Sequence, residues 1–350
     1  MCALDVATRA PSGPVASLSE WFGPRAADVD AGRAGVRDGL AELGRRGLPG
    51  ADIERSIELV REVAREDLST AFSAWAHRMT IDYLSHGGAS TRALLPSLAS
   101  AETLGATALA AGTAHVLADV PLPVTFRRDG GDVVLDGRIP WASNLLDPYV
   151  VVTAAADADD PGRAIVVAIP SDTPGLAPAP YPDLLALNAT GSTTVKLSAV
   201  RLPHSLVVST DLSGFVHEVL ARFLLLQGAF CAGLARRSLA EARSALGPMG
   251  SAIEGELERA AADGAEAEDE TARLARAEIA GRDIETDDLL ALRLRWSELT
   301  GTAVHLELAA TGGRGYLSTS ATSRRLREAA FLPIQAPTEV LLRWLLKRSR

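Results

Sequence analysis

Few residues in this chain have both the type and the spacing for chemistry. Trp141 and Ser143 stand two apart on an expected strand, where alternation projects both side chains to one face. Gly312, Gly313 and Gly315 form a turn between helical runs; it could serve as a plain helix cap, or let a backbone come close to a phosphate or ribose. Thr338 opens the last helical run, where a hydroxyl and free N–H groups favour an anionic oxygen. None of the six histidines, His77, His86, His115, His204, His217 and His305, follows that glycine turn. Cys2 and Cys231 are too few for a disulfide framework or a zinc site, so no metal is expected. The acidic run from Ala261 to Glu278 is read as a solvated helix face. Gly-x-Gly-x-x-Gly after a strand, the Walker loop, His-Glu-x-x-His and Gly-x-Ser-x-Gly are all missing.

The elements that must position these residues follow from periodicity. Residues 124–202 alternate like a sheet. Asp129-Gly130-Gly131 marks a hairpin, and Asp136-Gly137 a second break. Further strands are expected over 150–156, 164–169 and 193–202, with Gly105–Ala110 as an earlier one. Helix is expected on both sides: over 26–48, from Ile53 to Ala64, over 70–85 and over 90–101. It resumes over 215–246 and after Gly247-Pro248. Phe223 to Leu234 is apolar almost all round and so expected to be buried. Leu289, Leu292, Trp296, Leu299, Ala303, Leu306 and Ala310 make a bundle seam. Two short helices end the chain over 321–331 and 337–347, with Pro337 in the first helical position. The expected organisation is a loose N-terminus (1–20), an α-helical domain (21–103), a central β-barrel or sandwich (104–210) and a C-terminal helical bundle (211–350), an α+β chain.

A net charge of -9 on 350 residues argues against a nucleic-acid surface or a polybasic membrane anchor. No signal peptide is visible, and no uninterrupted apolar run reaches spanning length. The expectation is a cytoplasmic protein.

Order and motifs together resemble the acyl-CoA dehydrogenase family, FAD flavoproteins with a helical N-domain, a central β-domain and a C-terminal four-helix bundle. The family's Gly-x-Lys-x-Trp-Ile-Thr strand corresponds to Gly137-Arg-Ile-Pro-Trp141-Ala-Ser143-Asn144, and its Pro-Gly loop to Thr173-Pro174-Gly175-Leu176. Gly312-Gly313-Arg-Gly315-Tyr316 matches its Gly-Gly-x-Gly-Tyr turn. Ile334-Gln-Ala336-Pro337-Thr338 stands where it has Ile-x-Glu-Gly-Thr. The resemblance implies an FAD oxidoreductase acting on an acyl-thioester or related small molecule. Trp141 and Ser143 would lie against the flavin. Arg243 would reach a neighbouring subunit's FAD, while Gly312, Gly313, Gly315 and Thr338 would lie near phosphate or ribose. A homodimer or homotetramer is implied, with an electron-transfer partner or reductase.

The sequence departs from the family at its catalytic base. The two positions that hold the family's Glu are Ala336 and Ala221 here, and an alanine accepts no proton. Glu339 and Glu218 lie one helical turn from them, as relocated candidates. The family's Ala-Leu-Thr-Glu-Pro loop is replaced by Ala108-Leu109-Ala110-Ala111-Gly112-Thr113, which could still offer backbone N–H groups. Three readings stay open: a dehydrogenase-like oxidoreductase, a flavin-dependent monooxygenase needing no α-proton base, and a non-catalytic scaffold or partner subunit.

Overall fold

The computed structural model describes residues 17–349. Cys2 and most of the expected loose N-terminus lie outside these residues. Residues 18–20 are not loose, because Ser17 and Glu20 form a reciprocal capping box that starts α1 (Leu18–Phe22).

The helix expected over 26–48 is two helices, α2 (Ala26–Asp30) and α3 (Arg37–Arg45). Between them Gly32 takes φ +69°, which a continuing helix does not allow. α4 (Ile53–Ala64) follows, capped by Asp52, which accepts from the Arg55 N–H at 2.8 Å. Asp67 starts α5 (Leu68–Ser85) in the same way, accepting from the N–H groups of Ser69 and Thr70. The run over 90–101 divides into α6 (Ala89–Arg92) and α7 (Leu95–Ala99), with Pro96 in the first turn of α7.

The β-region begins with β1 (Leu104–Ala108), and then α8 (Ala110–Ala118) stands where a loop was expected. β2 (Val124–Asp129) and β3 (Asp132–Ala142) form the expected hairpin. Its tight turn is Gly130-Gly131, with Gly130 at φ +62°. β4 (Tyr149–Asp157), β5 (Ala164–Pro170), β6 (Leu176–Pro178), β7 (Thr193–Pro203) and β8 (Val207–Ser209) complete one sheet. Its order is β6-β7-β3-β2-β4-β5-β8, and β1 pairs with β4 in parallel off this path. Asp136-Gly137 does not break β3. It lies opposite an extra residue in β7, where Ala199 takes φ +48° and donates its N–H to the Asp136 carboxylate at 2.8 Å. Gly137 is required there, since a Cβ would stand 2.4 Å from the Pro123 carbonyl oxygen.

Helix returns in α9 (Leu212–Ala245), α10 (Ser251–Ile279), α11 (Thr286–Thr311), α12 (Ala321–Ala329) and α13 (Glu339–Arg348). α9 is long and apolar enough by composition to cross a membrane, contrary to the sequence expectation. However, 89% of its most apolar window is buried within the protein. Pro337 is not the first helical residue. α13 starts at Glu339, because Thr338 is its cap: the Thr338 hydroxyl accepts from the Leu341 N–H at 3.2 Å.

By internal contacts the chain forms two compact units. Among the described residues, one comprises 17–72, 185–189 and 224–346, the other 73–184, 190–223 and 347–349. In the first, every residue of α9 from Leu224 to Ala235 is buried, as the apolar run predicts. The α11 seam is buried from Leu289 to Leu306, and Ala310 is half-buried. A second stripe of α11 is buried as well, and most of it is polar: Arg293, Ser297, Thr300 and Glu307. Each has a partner, as buried polar groups require. Arg293 donates to the side-chain oxygens of Gln227 and Gln335, both at 2.9 Å, and Thr300 donates to the Cys231 carbonyl. Glu307 takes a two-pronged contact from Arg325, at 2.9 and 2.5 Å. The second unit holds the sheet, with a core drawn from β4 and β5, where Val150 to Ala155 and Ile165 to Ile169 are buried.

Candidate functional site

The end of β3 is shaped by an irregularity in its pairing. Ile139 stands opposite Val195 and Ala142 opposite Thr193, so β3 carries one extra residue at Pro140-Trp141. Strict alternation would place Trp141 on the buried face with Ile139. The extra residue shifts that place to Ala142, leaving Trp141 55% exposed. Pro140 suits the position because it has no N–H to contribute to the ladder. A large aromatic held in the open by a strand bulge is no core residue.

Ser143 lies just beyond the strand, so the two residues do not share a strand face as expected. The Ser192 hydroxyl donates to Ser143 Oγ at 2.8 Å and is itself 2.7 Å from the Thr190 hydroxyl. Ser143 accepts in that bond, so its own proton is left to donate outward. Asn144 fixes the geometry and was not singled out from the sequence. It is fully buried at φ +64°, and its Nδ2 donates to the Ser73 carbonyl at 2.8 Å and the Gly105 carbonyl at 3.0 Å. The end of β3 is thereby tied to α5 and β1, while Asn144 Oδ1 is buried with no partner. An Asn directly after an apolar strand is the available sequence signal, since Asn tolerates positive φ.

In the segment after β1, the Thr113 N–H is spent inside α8 on the Leu109 carbonyl at 2.9 Å. Gly112 is packed down, for a Cβ there would lie 3.0 Å from the Ala154 Cβ. Helix formation therefore removes the Thr113 N–H as a ligand donor, a correction to the sequence reading.

Glu218 lies on α9 with a 61% exposed side chain, and its carboxylate is 3.1 Å from His86 Nδ1. One turn along, Arg222 reaches Asp82 at 2.9 Å, and Arg78 approaches the same carboxylate at 3.7 Å. Burial, opposed by Asp82, pulls the Arg78 pKa down. Ala221, between these pairs in sequence, is buried.

The remaining residues lie in the first unit. Arg243 is exposed in the last turn of α9 and makes no ion pair among the described residues. Gly312 and Gly313 are exposed in a tight turn, Gly312 at φ +64°. Gly315 is buried and serves packing, since a Cβ would meet the Thr322 Cγ2 at 3.0 Å. Glu339 is engaged through both oxygens, accepting from the Ser297 hydroxyl at 2.7 Å and from Arg343 at 3.0 Å. A cavity of about 200 Å³ lies among Ile57, Arg61, Gly228, Ala232, Thr271 and Trp296, and none of the expected site residues lines it.

The chain has the acyl-CoA dehydrogenase fold: N-terminal helices, a central β-sheet domain and a C-terminal helical domain. The acyl-CoA dehydrogenase of Geobacillus kaustophilus superposes with a TM-score of 0.84 at 17% identity, over 95% of this chain and 94% of that one. A glutaryl-CoA dehydrogenase of Mycobacterium smegmatis in complex with FADH2 gives 0.82 at 16%, over 95% and 91%. FkbI, which serves biosynthesis of the methoxymalonyl extender unit of a polyketide immunosuppressant, gives 0.76 at 22%, over 95% and 97%. No protein-family model and no curated protein sequence matches the chain.

The end of β3 fits a flat heterocycle with acceptor atoms. It offers an exposed indole as a wall and, at Ser143, a hydroxyl with an uncommitted proton.

Proposed function

We propose that the chain binds FAD and works as a flavin-dependent oxidoreductase on an acyl-thioester or a related small molecule. The observation that carries this is Trp141, pushed into the open by a bulge beside the donor Ser143. Similarity to a dehydrogenase solved with FADH2 supports it. Bound flavin would supply a two-electron acceptor. Trp141 would shield one edge of its ring system from water, and Ser143 would donate to a ring acceptor. Arg243, with the exposed backbone at Gly312 and Gly313, gives positive charge and open approach for phosphate, across a homodimer or homotetramer. Thr338 can still donate its hydroxyl proton while it caps α13.

Ala221 and Ala336 favour a second reading, a flavin-dependent monooxygenase that needs no α-proton base.

The test is the visible spectrum of purified protein before and after FAD addition, followed through gel filtration. Flavin bands that stay with the protein are expected. Trp141→Ala should weaken FAD binding by about 5- to 150-fold, the range for losing an aromatic stacking partner worth about 1–3 kcal/mol. Anaerobic bleaching by acyl-thioester marks the oxidoreductase, and reduction only through a partner reductase marks the monooxygenase. A colourless protein that takes up no FAD would sink both and leave the scaffold.

A further inference from the structure

The hydroxyls behind Ser143 form a chain with a direction, and the direction follows from counting protons. A serine or threonine hydroxyl carries one proton and two lone pairs. Ser192 spends its proton on Ser143 Oγ at 2.8 Å. None is left on Ser192 for its 2.7 Å contact with the Thr190 hydroxyl, so in that contact Thr190 donates. The chain therefore runs from Thr190 through Ser192 to Ser143, each hydroxyl passing its proton forward. Thr190 is fully buried, whereas Ser192 and Ser143 are half-buried, so the donors point from the interior toward the surface. Giving the buried Thr190 a partner needs only Ser192. The further bond from Ser192 to Ser143 carries the direction outward. Hydroxyls linked in this way polarise one another, which makes the last a stronger donor than a lone hydroxyl.

The backbone holds the three groups together. The Asn144 N–H donates to the Thr190 carbonyl at 2.8 Å, and the Leu145 N–H to the Gly191 carbonyl at 3.2 Å. These bonds continue the pairing of β3 with β7 past the Ala142–Thr193 rung. Between Thr190 and Ser192 the chain turns at Gly191, with φ +55°, where a Cβ would meet the Leu146 Cδ2 at 2.8 Å.

Resting on the flavin reading, we propose that Ser192, backed by Thr190, is a positioning residue that holds Ser143 as an outward donor. The end of β3 then takes an acceptor atom of the flavin ring. Ser192 acts only through Ser143, and no covalent bond is made or broken. Electron density on the flavin ring differs between its redox states, so the strength of the Ser143 bond differs too. Ser192 is therefore felt in the reduction potential.

Two measurements on the full chain test the assignment. The first needs no FAD. In the proton NMR spectrum of protein labelled with carbon-13 serine and threonine, the Thr190 and Ser192 hydroxyl protons should exchange slowly enough with water to be seen. Their loss in Thr190→Val and Ser192→Ala identifies them. The Ser192 proton should lie close to the Ser143 β-protons. A Ser192 proton that is unseen, or that is directed to Thr190 instead, overturns the proposal. The second is the reduction potential of the FAD-loaded protein in Ser143→Ala, Ser192→Ala and the double variant. Ser143→Ala should change the ratio of oxidised to reduced flavin about fivefold, the worth of one hydrogen bond, or roughly 20 mV for a two-electron couple. Ser192→Ala should shift the potential in the same direction by less, and should add nothing in the double variant. No shift in Ser192→Ala, or an equal shift with and without Ser143, overturns the proposal. The expected hydroxyl protons in a protein without flavin bands sink the function proposed above and leave the orientation of Ser143 standing. Flavin bands in a protein whose Ser192 proton is directed to Thr190 sink this proposal alone.

Discussion

Glu328 makes the stability of the first unit depend on pH in a direction that can be worked out. It sits on α12, 1% exposed, and accepts from Arg324 at 3.0 Å through one oxygen, while the other oxygen is buried without a partner. Asp67, 2% exposed, shares the same Arg324, and Arg327 is taken by Asp30 at 2.6 Å. One guanidinium thus serves two buried carboxyls. Burial pushes the Glu328 pKa up from 4.5 to about 7; Arg324 opposes this and Asp67 adds to it. Asp67 is raised by burial too, against its hydrogen bond from Thr70. A raised carboxyl pKa means the folded state keeps a proton that the unfolded state releases. Stability is therefore full below pH 4.5 and falls as pH rises through about 7. At about 1.4 kcal/mol per pH unit the loss from Glu328 is roughly 3 kcal/mol. Glu328→Gln keeps an acceptor for Arg324 and removes the titration. Urea unfolding between pH 4.5 and 8, at fixed ionic strength, should show the wild type losing roughly 3 kcal/mol more than the variant over that range. Carboxylates held below their ordinary range, such as Asp129 bonded by Arg201, titrate below this window. Parallel stability curves for the two proteins would refute the reasoning.

Arg325→Met strands Glu307 at 0% side-chain exposure and should destabilise by about 3–5 kcal/mol in urea unfolding; adding Glu307→Leu should recover most of that loss. Gly233→Ala would set a Cβ 2.2 Å from the Arg61 carbonyl oxygen, where α4 crosses α9, and should cost about 1–3 kcal/mol, read as a lowered Tm.

What could be read from the sequence was set by neighbours along the chain. The Gly130-Gly131 hairpin, the buried run of α9 and the α11 seam all follow from local periodicity or local backbone freedom. The exposure of Trp141 does not. It depends on which β7 residue stands opposite Ile139, and that register is made some fifty residues away. The same holds for the polar stripe of α11. Arg293, Ser297, Thr300 and Glu307 look like a solvated face until Gln227, Glu339, the Cys231 carbonyl and Arg325 are placed against them. His86 and Glu218 are separated by more than a hundred residues and share no sequence motif.

The pairing of β3 sets an order of events during synthesis. β3 has β2 on one side as soon as the hairpin is made, but its other edge waits for β7. Roughly fifty residues must be translated in the interval, some 3–10 s at typical rates, with an apolar strand edge open to other nascent chains. Asp132, Asp136 and Arg138 put charge along β3, and Pro140 withdraws a donor where a foreign strand would dock. The bulge that turns Trp141 outward thus lies in a segment already guarded against mispairing on the ribosome.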